Sequence, residues 1–107
     1  MREGCVFCKI VDKKIKSKTV RESENLIVIN DTSPQAPVHL LIIPKLHIAD
    51  ISGATDSLWV EIKKMVLELV KERGINNFRL ITNAGDAAYV KHMHVHLLGG
   101  VTEDRKL

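Results

Sequence analysis

Three histidines at strict alternation, His92-Met93-His94-Val95-His96, lie inside an apolar run and gather three of the chain's five histidines into five positions. A strand sends successive side chains to opposite faces. If this segment is a strand, all three imidazoles share one face at spacings of roughly 6.5–7 Å, and Met93, Val95 and Leu97 turn into a core. Each buried imidazole brings polar nitrogens that need partners, so packing alone accounts poorly for three together. The chemistry open to such a row is metal ligation, or a histidine acting as base or nucleophile. The alternative is a polar sheet face that happens to use histidine.

A second pattern with chemical potential is Cys5-Val6-Phe7-Cys8. Two thiolates at this spacing can take two positions of a tetrahedral metal, but a closed site needs two further ligands. Without them the pair is simply two reduced cysteines. His39, between Val38 and Leu40-Leu41, reads as a hydrogen-bonded core histidine.

The elements that must position these residues follow from the pattern. A chain of 107 residues is expected to form one domain, residues 1–107, around a single modest core. Residues 7–12 form a short helical turn. Asn25–Asn30 is a β-branched run that reads as a strand, paired with Thr19–Glu22 across Ser23-Glu24. Ser33-Pro34-Gln35-Ala36-Pro37 must be a loop. Val38–Ile43 is a continuous apolar run ahead of Pro44, the signature of a central strand buried on both faces. Over residues 55–73, Leu58, Ile62, Met65, Val66, Leu69 and Val70 recur at three and four positions and mark one helix. Thr55 caps its start and Gly74 its left-handed stop. Phe78–Asn83 is a further strand, and the histidine strand ends at Gly99-Gly100. Strands, a long helix, then two strands give an α+β class with a mainly antiparallel sheet.

Composition excludes several roles. The chain is 45% apolar and 27% charged, an ordinary globular balance. Aromatic residues are only 4%, too few for base-stacking platforms, so no dedicated nucleic-acid binding is expected. The net charge of +3 is mild, yet it favours small phosphate-bearing molecules. Lys13–Lys18 is a short basic run that reads as a solvated turn. No window has the length of a membrane span, and the N-terminus lacks the apolar core of a signal peptide. The expected location is the cytoplasm, where Cys5 and Cys8 stay reduced.

The run His92-Met-His-Val-His96-Leu-Leu resembles the signature of the histidine triad family, His-x-His-x-His followed by two apolar residues. Asp31-Thr-Ser-Pro-Gln-Ala-Pro37, Val38 to Pro44-Lys45, His47-Ile48 and Leu97-Leu-Gly-Gly100 extend the likeness to the Hint branch, in its zinc-binding bacterial or archaeal form. The resemblance implies a five-stranded antiparallel sheet with one long helix and a short N-terminal helix, assembled as a homodimer. Trp59, beside the apolar stripe, is compatible with such pairing. It also implies cleavage of substituted nucleoside phosphates at the α-phosphorus through a nucleotidyl-histidine, with a purine nucleotide (an AMP or GMP moiety) as substrate.

By motif position the resemblance makes His94 the nucleophile and His96 a phosphate contact. Asn83 stands beside the α-phosphate, with backbone donors near Val90. Asp31 matches the ribose ligand; Phe7, Ile10, Ile15 and Ile29 match the apolar base pocket. By themselves Asn83 and Asp31 would read as turn residues and the four apolar residues as ordinary core. The likeness further implies that His47 and His92 complete a closed, structural zinc site with Cys5 and Cys8. Relatives usually carry Gln ahead of the triad, where this chain has Ala88 followed by Tyr89. That departure bears on the leaving group and the rate. Other readings are a dinucleoside polyphosphate hydrolase, a nucleotide-binding adaptor with weak catalysis, or a zinc-stabilised interaction domain.

Overall fold

A computed structural model describes residues 4–106. In chain order the elements are helix α1 (Val6–Val11), strands β1 (Thr19–Glu22), β2 (Leu26–Asn30) and β3 (Val38–Pro44), helix α2 (Asp56–Arg73), and strands β4 (Phe78–Thr82) and β5 (Val95–Gly99). Short 3-10 turns at Ile51–Gly53 and Gly85–Ala87 complete the order. The five strands form one antiparallel sheet in the order β1-β2-β3-β5-β4. The expected α+β class and antiparallel sheet therefore stand.

Alternation along the strands divides the apolar side chains between two faces. Leu26, Val28, Leu40, Ile42, Val95 and Leu97 meet the stripe Ile62, Met65, Val66 and Leu69 of α2 in the larger core. Ile27, Ile29, Leu41 and Ile43 face the other way and pack against Phe7 and Ile10 of α1. Both faces of β2 and β3 are thus covered, which is why their sequences are unbroken apolar runs rather than alternating ones.

Helix α2 ends as its sequence dictates. The Thr55 hydroxyl accepts from Leu58 N–H at 3.1 Å, and Gly74 takes a left-handed φ of 63° beyond Arg73. Six-residue α1 is too short to hold itself together and depends on what it packs against. Lys13, just past its end, adopts a left-handed φ of 63°. The Lys13 ammonium reaches Glu22 at 2.6 Å, and Lys45 reaches the same carboxylate at 2.6 Å. Glu22 so ties the exit of α1 to the exit of β3.

Candidate functional site

The α1 side of the sheet carries the histidines. Pairing of β3 with β5 sets Leu41 opposite His96, and pairing with β4 sets Ile81 opposite it. Two positions before Leu41 on the same face stands His39, whose Nε2 lies 2.9 Å from His96 Nδ1. Only His96 of the three alternating histidines lies within β5, however, which starts at Val95. The expected strand through His92 is interrupted for a backbone reason. Pro44, at the end of β3, has no N–H, and its carbonyl lies 2.8 Å from His92 Nε2. Met93 N–H donates instead to the Ile48 carbonyl at 2.7 Å. His92 and His94 therefore sit on an irregular approach to the strand. They still lie on the α1 side, where the Phe7 ring meets His94 edge-on at 4.8 Å and His92 at 5.9 Å.

The partners of each ring set its tautomer, because a carbonyl only accepts and an N–H only donates. His94 Nδ1 lies 2.9 Å from the His92 carbonyl, so the neutral ring carries its proton on Nδ1 and a lone pair on Nε2. His92 Nε2 faces the Pro44 carbonyl, so its proton sits on Nε2 and its lone pair on Nδ1. His39 Nδ1 accepts from Gln35 N–H at 3.0 Å, leaving the proton on Nε2. That proton is shared between His96 Nδ1 and Asp31 Oδ2, the latter 3.4 Å away. His96 then holds its own proton on Nε2. The site thus pairs an unprotonated nitrogen on His94 with a donor on His96, their ring centroids 5.0 Å apart. This arrangement can attack an electrophile and donate to an oxygen beside it.

The lone pair of His92 points into a second cluster. His92 Nδ1 lies 3.3 Å from Cys5 Sγ, 3.5 Å from Cys8 Sγ and 3.1 Å from His47 Nδ1. His47 Nδ1 is 3.2 Å from Cys8 Sγ. Ligands of a tetrahedral zinc at ordinary bond lengths stand roughly 3.3–3.8 Å apart. The two contacts of His92 with the cysteines lie in that range, the two contacts of His47 are slightly shorter, and the Cys2His2 donor set is one that suits zinc. His92 and Cys8 are fully buried. Burial holds the His92 ring below its ordinary pKa, in the neutral form that ligates. Asp31, His39 and His96 also converge. The proton on His39 Nε2 makes that trio a hydrogen-bond chain rather than a ligand set.

The other expected residues are placed unevenly. Asn83 follows β4 directly, two positions beyond Ile81, which faces His96 across the sheet. Asp31 follows β2, and its Oδ1 accepts from Ser33 N–H at 2.8 Å. Phe7, Ile10 and Ile29 share one apolar cluster, with Val90 packed against it. Ile15 lies outside that cluster and is 39% exposed. Ala88 is buried and Tyr89 is 99% exposed. The loop before His92 is closed by Lys91, whose ammonium donates to the Gly85 carbonyl at 2.5 Å and the Ala88 carbonyl at 2.7 Å.

His39 is the buried, hydrogen-bonded histidine expected from its apolar flanks, and the partner it reaches is His96. The signal was available in its parity: His39, Leu41 and Ile43 share a strand face, and that face is the one β5 presents through His96.

A family model described as the scavenger mRNA decapping enzyme C-terminal binding domain matches residues 4–106. An HIT-like protein of Chlamydia trachomatis is 44% identical over 101 residues, 89% of this chain and 91% of its own. The chain is a member of the histidine triad family. Among solved structures, an HIT family hydrolase from Clostridium thermocellum superposes with a TM-score of 0.89 at 43% identity, covering 100% of this chain and 99% of its own. A zinc-bound histidine triad protein from Mycobacterium smegmatis has a TM-score of 0.82 at 26% identity, covering 94% and 78% respectively.

In this histidine triad protein, burial and then the neighbouring His94 and His39 push the pKa of His96 down to about 4, from an ordinary 6.5. His39 is lowered as well, chiefly by burial. Between those values the unfolded chain binds protons that the folded chain does not, so stability rises with pH across that window. Stability held above pH 6.5 should therefore be lost as pH falls toward 4, and denaturation midpoints across this range measure it. The ring resonances of His96 should stay those of the neutral imidazole until about pH 4; a midpoint near 6.5 would contradict the assigned environment.

Proposed function

We propose that this chain is a nucleotide hydrolase or transferase that cleaves substituted nucleoside phosphates, such as purine phosphoramidates or adenylates, at the α-phosphorus. The observation that carries the reading is the fixed tautomer of His94. Its Nδ1–H is committed to the His92 carbonyl at 2.9 Å, which leaves a lone pair on Nε2. The hydrolase from Clostridium thermocellum supports the same class of chemistry.

In the proposed reaction His94 Nε2 forms a bond to phosphorus as the bond to the leaving group breaks. The leaving group departs with the electron pair and takes up a proton. Water then attacks phosphorus, the phosphorus–nitrogen bond breaks, and a nucleoside monophosphate is released. Two easier displacements replace one difficult one. His96, donating from Nε2 because His39 occupies its Nδ1, stabilises charge gathering on a phosphoryl oxygen. Asn83 and the backbone near Val90 hold the phosphate. Asp31 takes the ribose hydroxyls, and Phe7, Ile10 and Ile29 line the base side, with Ile15 at its exposed margin.

We assign Cys5, Cys8, His47 and His92 to one structural zinc, as their donor set and the zinc-bound relative from Mycobacterium smegmatis support. A bound zinc supplies folding free energy and offers no open position. A homodimer is favoured by the apolar side chains left in solvent on α2 (Trp59, Val60, Leu67) and on edge strand β4 (Phe78, Leu80), each 38% exposed or more. The proposed location is the cytoplasm. Among the described residues no helix is long and apolar enough to cross a membrane.

A panel of adenosine and guanosine phosphoramidates, an aminoacyl adenylate and diadenosine tetraphosphate tests the activity. The wild type should turn over a phosphoramidate or adenylate, and His94→Ala should be slower by several orders of magnitude, since it loses the whole covalent route. Preference for the tetraphosphate would favour the polyphosphate hydrolase. Binding without turnover would favour the adaptor, a reading that buried Ala88 supports because its methyl offers no donor. Elemental analysis of protein purified without added metal should give one zinc per chain. Cys8→Ser should lose the metal and melt at lower temperature; metal-free protein of unchanged stability would remove the assignment.

A further inference from the structure

The metal cluster and His94 share a residue. The His92 ring lies in the cluster through Nδ1, while the His92 main-chain carbonyl accepts the Nδ1–H of His94 at 2.9 Å. No strand ladder fixes that carbonyl, because β5 begins only at Val95. Around it, the neighbouring Met93 N–H is held by Ile48 O, and the His92 ring is held by Pro44 O on one side and by the cluster on the other. Helix α1 makes a second connection. It supplies Cys8 to the cluster, and the adjoining Phe7 packs its ring edge-on against both His94 and His92. The cluster thereby joins three chain segments that β pairing does not join: α1, the turn at His47, and the approach to β5.

We propose that His92 is a positioning residue for His94, and that metal ligation at Cys5, Cys8, His47 and His92 sets the tautomer and direction of the His94 ring. The proposal rests on the reading of His94 as nucleophile for its catalytic consequence, but the tautomer itself is independent of that reading. A metal held by His92 Nδ1 keeps the ring proton on Nε2 against the Pro44 carbonyl and fixes the residue 92 peptide. The fixed peptide keeps the proton of His94 on Nδ1 and leaves Nε2 unprotonated. Without the metal, the bonds to Pro44 and Ile48 alone hold residue 92, α1 loses its tie to it at Cys5 and Cys8, and the carbonyl that orients His94 gains freedom to turn. The cluster therefore acts on chemistry without touching substrate.

The test is nitrogen-15 NMR of the His94 ring at neutral pH, in the zinc-loaded full chain and after chelation, alongside steady-state kinetics. Zinc-loaded protein should show the Nδ1–H tautomer alone. Chelated protein should show a mixture of both tautomers, with kcat about tenfold lower or more and KM for the nucleotide little changed. Cys5→Ser should behave as chelated protein, whereas Cys5→His, which retains four ligands, should restore both the tautomer and kcat. An unaltered His94 tautomer and kcat in folded, metal-free protein would overturn the proposal. If chelation unfolds the chain, zinc-loaded His92→Ala takes its place. That variant keeps three ligands but unties residue 92 from both the metal and the Pro44 carbonyl, and a retained single His94 tautomer with full kcat there overturns the idea. A single tautomer on zinc loading with no turnover in any form would instead count against the nucleophile reading alone.

Discussion

The pairing of β3 with β5, with Leu41 opposite His96 and Ile42 opposite Val95, decides which side of the sheet each reactive group occupies. Because side chains alternate, a slip of one residue would turn His96 into the core beneath α2 and bring Leu97 out to the α1 side. That slip would bury an imidazole among Leu40, Ile42 and Met65 with no polar partner. The two apolar faces of β3 thus specify the register, and the register brings His96 to His39. Pro44 then ends the ladder at the point where a regular strand would have kept the neighbouring rings in a row.

The imidazoles of the site are ordered by single hydrogen bonds, three of them to main-chain groups and one from ring to ring. Gln35 N–H sets His39, and His39 sets His96. The Pro44 carbonyl sets His92, and the His92 carbonyl sets His94. Each bond is worth only about 1 kcal/mol net. Their larger effect is directional, because each removes one of two tautomers. A neutral imidazole offers either a lone pair or a donor at a given nitrogen, and the chain has assigned these in advance. Burial adds to this by disfavouring the charged forms of His39, His92 and His96.

Local patterns were legible in the sequence wherever one principle dominated. The stripe from Leu58 to Val70, the Thr55 cap and the Gly74 stop marked α2 with little error, because periodicity and capping agreed. The run Val38–Ile43 marked a strand buried on both faces. The convergence of Cys5, Cys8, His47 and His92 followed from family likeness and not from spacing, since α1, the turn at His47 and the approach to β5 meet only in three dimensions. The start of β5 falls later than the pattern predicts, because the missing N–H of Pro44 acts on a partner strand, beyond the reach of local pattern. His39 is the buried, hydrogen-bonded histidine that its apolar flanks predict; the partner itself, His96, depends on register and is not legible locally.

The central claim is that His94 becomes covalently bonded to the nucleotide. Mass spectrometry of protein quenched in alkali within the first turnover of a phosphoramidate tests it directly. The expected result is a mass increase of one nucleoside monophosphate residue, mapped to His94 and lost in acid, because phosphorus–nitrogen bonds are acid-labile. An adduct mapped to His96, His39 or any other side chain, or turnover with no adduct at any quench time, would contradict it.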